Sequence, residues 1–246
     1  MEKKQFDAAK SEAFAEKLIS VFNGGALAVM TSIGHRTGLF DVMSKLPPST
    51  SQQIAIVSEL NERYVREWLG ALVVGRIIEY NPEGALYSLP PEHASWMTRD
   101  APNNMSVFAQ YISMIGTVED RIIECFKRGG GVPYSEFKRF HQIMAEDSGQ
   151  TIVAPLFDHI LPLVPGLKER LQRGIDVLDV GCGSGRAINL MARTFSNSRF
   201  TGYDFSDEAV TTARVEAAQY GLTNIRFEVK DVAKCNVHGY VAACFV

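Results

Sequence analysis

The chain has 246 residues, of which 46% are hydrophobic and 22% charged, as in ordinary globular proteins. Its formal net charge of −3 gives no reason to expect bulk attraction to nucleic acid or to an anionic membrane. The polar amino terminus lacks a signal-peptide core, and we expect no run of transmembrane length. We therefore expect a cytoplasmic protein that does not associate with membranes.

The four cysteines have neither disulfide spacing nor metal-ligand spacing, and they are Cys125, Cys182, Cys235 and Cys244. We expect free thiols in a reducing compartment and no metal site.

The first hundred residues follow the order of a winged-helix domain. Residues 7–41 have helical periodicity that is interrupted at Gly24-Gly25, and Pro47-Pro48 marks a break. A short helix is predicted over 49–58, and a second, capped by Asn61, runs to about Val74. Short strands at 76–80 and 85–89 then enclose a turn. This order of elements predicts a winged-helix-like domain over residues 1–99.

Winged helices often bind DNA, but this region has the wrong charge balance for it. From Thr50 to Arg99 there are four basic residues and six acidic ones. Because phosphate binding requires a basic face, we expect no nucleic-acid partner. A transcription regulator with a ligand domain stays open as an alternative.

A glycine loop follows a short apolar run near residue 180. Val177, Leu178 and Val180 suit a strand buried on both faces. Gly181, Gly183 and the glycine that follows at 185 allow a ligand to approach the main chain closely. The helix after them would point its free N–H groups at that ligand. This pattern predicts a nucleotide or nucleoside site at the carboxyl edge of a parallel strand.

The loop departs from the dinucleotide fingerprint G-x-G-x-x-G/A, because its sixth position is Arg186. It reads instead as G-x-G-x-G, and Asp179 precedes the first glycine. This pattern resembles motif I of the class I S-adenosylmethionine-dependent methyltransferases. Cys182 occupies a variable position of the loop, where a reactive thiol at a helix amino terminus is the less favoured alternative.

The resemblance continues over the next two predicted strands. Residues 199–203 are predicted to form a strand that ends at Asp204, and Ser206 then offers a helix start. Apolar residues alternate over 225–229, which predicts a further strand that runs into Asp231. In the family, the first of these acids holds the ribose and the second lies beside the adenine. As alternatives, Asp204 is a loop acid or a helix cap, and Asp231 is a turn residue.

The resemblance implies S-adenosylmethionine as cofactor and a set of residues that bind it. These residues are Asp179, Gly181, Cys182, Gly183, Gly185, Asp204, Phe205 and Asp231. No catalytic residue is named, and for His141 and His159 a surface or packing role is favoured over that of a base.

The wider stretch 25–232 resembles the branch of these enzymes that joins a winged-helix part to a methyltransferase part through a helical region. The segments 62–69 and 129–134 belong to this likeness. The glycine-rich segment 129–134 is either a connector or a pocket edge.

We expect a winged-helix-like domain at 1–99, a helical connector at 100–170 and an α/β domain with a partial Rossmann-like, doubly wound parallel sheet at 171–246. In the family, the winged-helix part serves dimerisation and walls the acceptor pocket, so a homodimer and a small-molecule methyl acceptor are implied.

The remaining length limits how many strands the sheet can hold. A βαβ unit takes about 30 residues or more, and 70 residues run from Val177 to Val246. Residues 240–246 could form a short strand beside the first strand of the sheet. The chain therefore reads as a C-terminally shortened methyltransferase with impaired catalysis. The alternative is an isoform that binds cofactor or dimerises without turnover.

Overall fold

The computed structural model describes residues 6–232 and the backbone of residues 241–243. Cys235 and Cys244 lie outside the described residues, and the two described cysteines, Cys125 and Cys182, are free thiols. The chain divides into two compact units, Met1–Lys138 and Arg139–Val246. The division falls within the segment 100–170, and the three-part domain scheme stays a prediction.

The first unit is helical and carries a two-stranded wing. Its helices are α1 Ala8–Thr37, α2 Leu39–Met43, α3 Ser51–Ser58, α4 Glu62–Val74, α5 Pro91–Met97, α6 Ala109–Gly116 and α7 Glu119–Arg128, with 3-10 turns at Met105–Val107 and Tyr134–Glu136. Its strands are β1 Glu79–Asn81 and β2 Leu86–Ser88, which pair antiparallel. The core of this unit is formed by α2, α3, α4 and the wing, with Phe40, Trp68 and Leu72 fully or almost fully buried.

Local signals place the winged-helix elements where the sequence predicts them. Thr50 and Gln53 form a reciprocal capping box that starts α3. The side chain of Asn61 accepts a hydrogen bond from the N–H of Arg63 and so caps α4. Both predicted helices are thereby confirmed, and the antiparallel pairing of β1 and β2 confirms the predicted wing.

The first helix differs from the prediction. The Gly24-Gly25 pair does not interrupt it, and α1 runs unbroken from Ala8 to Thr37. Two glycines cost a helix only about 1 kcal/mol each, which the flanking helix-forming residues offset. By length and composition α1 could cross a membrane, contrary to the expectation from the sequence. This finding is weak evidence by itself, since signal sequences and core helices of soluble proteins satisfy the same criteria.

The second unit is an α/β arrangement. Its helices are α8 Phe140–Ser148, α9 Leu167–Arg173, α10 Arg186–Thr194 and α11 Asp207–Gln219, with π-helical turns at Gly149–Val153 and Leu156–Ile160 and a 3-10 turn at Leu161–Leu163. Its strands are β3 Asp176–Val180, β4 Arg199–Asp204, β5 Ile225–Val229 and β6 Val241–Ala243. The described part of the sheet has the order β5-β4-β3-β6, and every neighbouring pair is parallel.

This topology confirms the predicted fold class. Strand β6 pairs with β3 through Val177↔Val241, as expected for a strand beside the first. The buried core of the unit lies between the sheet and its helices, with Leu171, Ile188, Phe200 and Val210 among its least exposed side chains. Parallel strands place their carboxyl ends at one edge, so the loops after β3, β4 and β5 come together there.

Candidate functional site

The glycine loop joins β3 to α10, and each of its three glycines has a positive φ. The angles are 76° at Gly181, 53° at Gly183 and 74° at Gly185, values that favour glycine. A Cβ added to the first two would meet nothing within 4 Å, whereas one added to Gly185 would lie 2.7 Å from the Cβ of Ala213 and 2.9 Å from the ring of Phe227. The loop therefore has one glycine required by packing and two that border open space.

Asp204 ends β4 and is tied to the glycine loop. One carboxylate oxygen, Oδ2, accepts a hydrogen bond of 2.8 Å from the N–H of Gly183, and Oδ1 accepts one of 2.8 Å from the N–H of Ser206. The residue is only 9% exposed. The carboxylate is thus held by two backbone donors at the carboxyl edge of the sheet. Ser206, and not Asp204, caps the following helix, because its Oγ accepts a hydrogen bond from the N–H of Ala209.

Cys182 lies between two acids. Burial, and to a lesser extent the negative charges of Asp179 and Asp204, raise the pKa of its thiol to about 12. Asp179 itself is buried and is the second-to-last residue of β3, before the loop. Since the thiolate is the reactive form, this environment opposes reactivity. The location fits the interpretation of Cys182 as a loop position without its own chemistry.

The two remaining predicted residues flank the same edge. Phe205 directly follows Asp204 and is 58% exposed. Asp231 follows β5 by two residues and is exposed. The N–H of Lys230 donates to the carbonyl of Asp204 at 2.7 Å, which holds the ends of β4 and β5 together. All eight predicted residues thus lie at the carboxyl ends of β3, β4 and β5, and their binding roles stay predictions.

The structure places helix α8 beside the candidate site, although the sequence analysis assigned this segment no role in it. The Nε2 atom of His141 lies 3.1 Å from the Oγ of Ser206. Nη1 of Arg186, the first residue of α10, donates to the carbonyl of Ala145 at 2.8 Å. A cavity of about 520 Å³ lies between α8 and α11 and reaches Ser184 of the glycine loop. No spacing in the sequence indicates these contacts, because they join segments more than 40 residues apart.

Two further features bear on chemistry. Among the described residues, no group of His, Cys, Asp and Glu side chains is arranged to hold a metal ion. A second cavity, of about 390 Å³, lies at the opposite end of the strands, around Asp176 and Arg199. That end lacks the glycine loop, so we place the candidate site at the carboxyl edge.

Comparisons with known proteins agree with this layout. Residues 25–99 match the family described as Rv2258c-like winged HTH domain. Residues 171–245 match the family described as methyltransferase domain.

Two curated relatives carry related names. The chain is 37% identical over 76 residues to the ubiquinone biosynthesis O-methyltransferase of Neisseria meningitidis serogroup C (strain 053442), covering 29% of this chain and 32% of that protein. It is 36% identical over 113 residues to the enzyme of the same name from Vibrio cholerae serotype O1 (strain ATCC 39541 / Classical Ogawa 395 / O395), covering 44% of this chain and 39% of that protein. The matched part therefore spans about a third of the length of these relatives.

Solved structures share the fold over nearly the whole chain. The human N-acetylserotonin methyltransferase in complex with SAM has a TM-score of 0.59 at 17% identity, covering 97% of this chain and 70% of that one. The mitomycin 7-O-methyltransferase MmcR has a TM-score of 0.62 at 16% identity, with coverage of 97% and 72%. At such identities the likeness concerns the fold. The chain therefore matches a winged helix-turn-helix domain at residues 25–99 and a methyltransferase domain at residues 171–245, and it shares the fold of these solved methyltransferases.

Proposed function

We propose that this chain binds S-adenosylmethionine at the carboxyl edge of its sheet and serves methyl transfer to an oxygen of a small molecule. The observation that carries the proposal is the pairing of Asp204 with the glycine loop. The carboxylate is held in place by Gly183 and Ser206, while the Cα atoms of Gly181 and Gly183 border open space. An added Cβ would occupy that space, so the loop is shaped for close approach of a ligand to the main chain.

In this proposal each residue binds or orients. The glycine loop holds the methionine and ribose end, Asp204 accepts hydrogen bonds from ribose hydroxyls, and Asp231 lies on the adenine side. When bound, the cofactor supplies a methyl group already activated by its sulfonium. The protein's task is then alignment and exclusion of water from the cleft.

The oxygen acceptor is proposed by analogy with relatives. Both curated relatives are named O-methyltransferases, and so is the mitomycin enzyme. We propose a hydroxyl group on a small molecule as the acceptor, and a cytoplasmic location for the reaction.

Calorimetry tests the cofactor assignment. Titration of the purified chain with S-adenosylmethionine and with S-adenosylhomocysteine should show saturable binding, and titration with NADH should not. Binding of NADH alone would overturn the assignment, because it would mean that the loop serves a dinucleotide despite Arg186.

A second candidate is cofactor binding without efficient turnover. In this candidate the ends of β3, β4 and β5, which carry all the proposed binding residues, hold the cofactor, and no residue is assigned to the acceptor. Methyl transfer needs donor and acceptor in near-attack geometry, and small misplacements cost orders of magnitude in rate. We propose that this chain produces little S-adenosylhomocysteine over a panel of phenols, carboxylates and amines. A rate comparable to that of a solved methyltransferase neighbour on its own substrate would contradict this.

We also propose that the chain forms a homodimer through α1. The amino-terminal half of this helix exposes large apolar side chains, among them Phe14 at 58% and Phe22 at 67%. Lys10, Glu16 and their neighbours supply charges of both signs, which suits pairing with a second copy.

Light scattering after size exclusion tests the dimer. The wild-type chain should have the mass of two chains, and the variants Phe14→Glu and Phe22→Glu should shift it towards one. Tyr64→Glu, at a residue of α4 that is 74% exposed, is the control and should leave the mass unchanged. A wild-type monomer at micromolar concentration would overturn the proposal.

A further inference from the structure

Helix α8 contacts Ser206 in the loop after β4 and Arg186 at the start of α10. Ile143 is its only fully buried residue. Its N-cap, Arg139, has a φ of 63° and makes no side-chain capping hydrogen bond. Positive φ at a side chain larger than glycine costs about 1–2 kcal/mol. A short helix with one buried residue and an unfavourable start belongs to the less stable part of a fold.

A continuous chain of hydrogen-bonding groups runs from α8 to the glycine loop. The Nε2 of His141 lies 3.1 Å from the Oγ of Ser206. The N–H of Ser206 donates to Oδ1 of Asp204, and the N–H of Gly183 donates to Oδ2 of the same carboxylate, both at 2.8 Å. The carboxylate of Asp204, which is proposed to bind ribose, therefore lies between Ser206 and Gly183 in this series of hydrogen bonds.

The Ser206 hydroxyl can serve α11 and His141 at the same time. Its oxygen accepts a hydrogen bond from the N–H of Ala209 at 3.3 Å, which caps α11. A hydroxyl also has one proton to donate, and the nearby ring nitrogen of His141 can accept it. A neutral imidazole that carries its proton on Nδ1 satisfies both contacts. This contact ties α8 to the loop that holds Asp204.

We propose that His141 is a positioning residue that couples the packing of α8 against the loop after β4 to the orientation of Asp204. Cofactor binding then orders α8, and an ordered α8 strengthens cofactor binding. This inference rests on the proposed function, since it concerns the same site. The Arg186–Ala145 hydrogen bond attaches α8 to the start of α10. It is independent of the hydrogen bonds that run through Ser206. Coupling of this kind is reciprocal. The free energy by which the bound ligand stabilises the ordered form of α8 equals the free energy by which ordered α8 strengthens ligand binding.

Two measurements on the full chain test the proposal, with S-adenosylhomocysteine as the probe. Calorimetry gives its Kd, and amide hydrogen exchange of residues 140–148 reports the order of α8 with and without the probe. In the wild type, we expect the probe to slow exchange in α8. His141→Ala should weaken binding by about threefold to tenfold, the range expected for one hydrogen bond, and should abolish most of the added protection.

Conservative and matched variants separate positioning from general damage. His141→Gln keeps a polar atom near the position of Nε2, and it should recover part of the affinity and of the protection. His159→Ala makes the same chemical change at an exposed histidine of the same unit and should alter neither. If His141→Ala fails to fold, the comparison is made between His141→Gln and His141→Leu, which have similar size and differ in hydrogen-bonding capacity.

The outcomes distinguish this inference from the proposed function. If the wild-type chain does not bind the probe, the cofactor assignment fails and the inference fails with it. If the wild type binds but His141→Ala binds equally well and still protects α8, only the inference is overturned. Loss of affinity without rescue by His141→Gln and without a change in the exchange of α8 would also overturn it, because such a result means damage unrelated to the helix.

Discussion

At the scale of single residues, Asp204 is held in place by its neighbours before any ligand arrives. Its two oxygens accept backbone hydrogen bonds from Gly183 and Ser206, which fixes the direction of the carboxylate. Each oxygen retains acceptor capacity, because a carboxylate offers about four lone-pair directions. Ribose hydroxyls can therefore bind to a preorganised group, and little side-chain entropy is lost.

This arrangement predicts the effect of removing the carboxylate. Asp204→Ala should weaken S-adenosylmethionine binding by about 1–3 kcal/mol in calorimetry, since the hydroxyls lose a charged acceptor. Asp204→Asn keeps the size of the side chain and should show an intermediate loss. Melting temperatures of both variants control for loosening of the glycine loop. Affinity equal to that of the wild type would remove Asp204 from the site.

Cys182 is predicted to be unreactive in the folded chain. Burial, helped by the charges of Asp179 and Asp204, raises the pKa of its thiol from 9.0 to about 12. At pH 8 the thiol should therefore alkylate much more slowly in the native than in the denatured chain, as measured by peptide mass spectrometry after iodoacetamide treatment. Equal rates in both states would contradict the buried environment.

The same shift predicts a dependence of stability on alkaline pH. Between about 9 and 12 the thiol ionises in the unfolded chain but stays protonated in the folded one. The contribution of Cys182 to folding stability is therefore fully present below pH 9 and falls as pH rises through this window. Denaturant titrations should show a shallower decline for Cys182→Ala than for the wild type. An identical decline would mean that other groups account for it.

At the scale of elements, the glycine loop and α10 depend on two kinds of glycine. Gly181 and Gly185 have almost the same φ, 76° and 74°, but only Gly185 packs against α11 and β5. The pair therefore separates the cost of backbone conformation from the cost of crowding. The conformational cost is about 1–2 kcal/mol, and overpacking adds about 1–3 kcal/mol.

We predict that Gly185→Ala lowers the free energy of unfolding by about 2–5 kcal/mol and that Gly181→Ala lowers it by about 1–2 kcal/mol. The second substitution should nevertheless weaken binding of S-adenosylhomocysteine, because its Cβ enters the space proposed for the ligand. Urea denaturation and calorimetry measure the two effects. An equal loss in the free energy of unfolding for both substitutions would show that crowding against Ala213 and Phe227 adds nothing to the cost of Gly185→Ala.

Element boundaries follow the sequence where a local signal determines them. Asn61 and Ser206 cap their helices through side-chain oxygens, as their positions before apolar periodic segments predict. The predicted strand over 225–229 matches β5 residue for residue. The break expected at Gly24-Gly25 is wrong, because glycine only lowers helix stability and does not forbid the helix.

At the scale of the whole molecule, the winged helix-turn-helix domain has more acidic than basic residues between Thr50 and Arg99. Arg66 of α4 lies 3.8 Å from Glu62, so part of the positive charge of this helix is already paired. We predict that the chain shows no sequence-specific mobility shift with DNA at submicromolar concentration and no salt-sensitive retention on heparin. A sequence-dependent, salt-sensitive shift would instead support a transcription regulator. A basic winged-helix protein serves as the positive control.

The sequence by itself determined the fold class and the positions in that fold of the residues proposed to bind the cofactor. The glycine loop and the acids at 204 and 231 could be predicted, because they follow strands in a parallel sheet and the carboxyl ends of such strands share one edge. Chain order and local hydrophobic pattern carry that information.

Only the tertiary structure decided how these residues are held. It showed that Gly183 and Ser206 orient the carboxylate of Asp204, that Gly185 is required by packing, and that His141 reaches Ser206 across 65 positions of sequence. Such contacts depend on how α8, α10 and α11 pack around the sheet. Packing is a property of side-chain volumes summed over distant segments, and no local pattern in the chain encodes it.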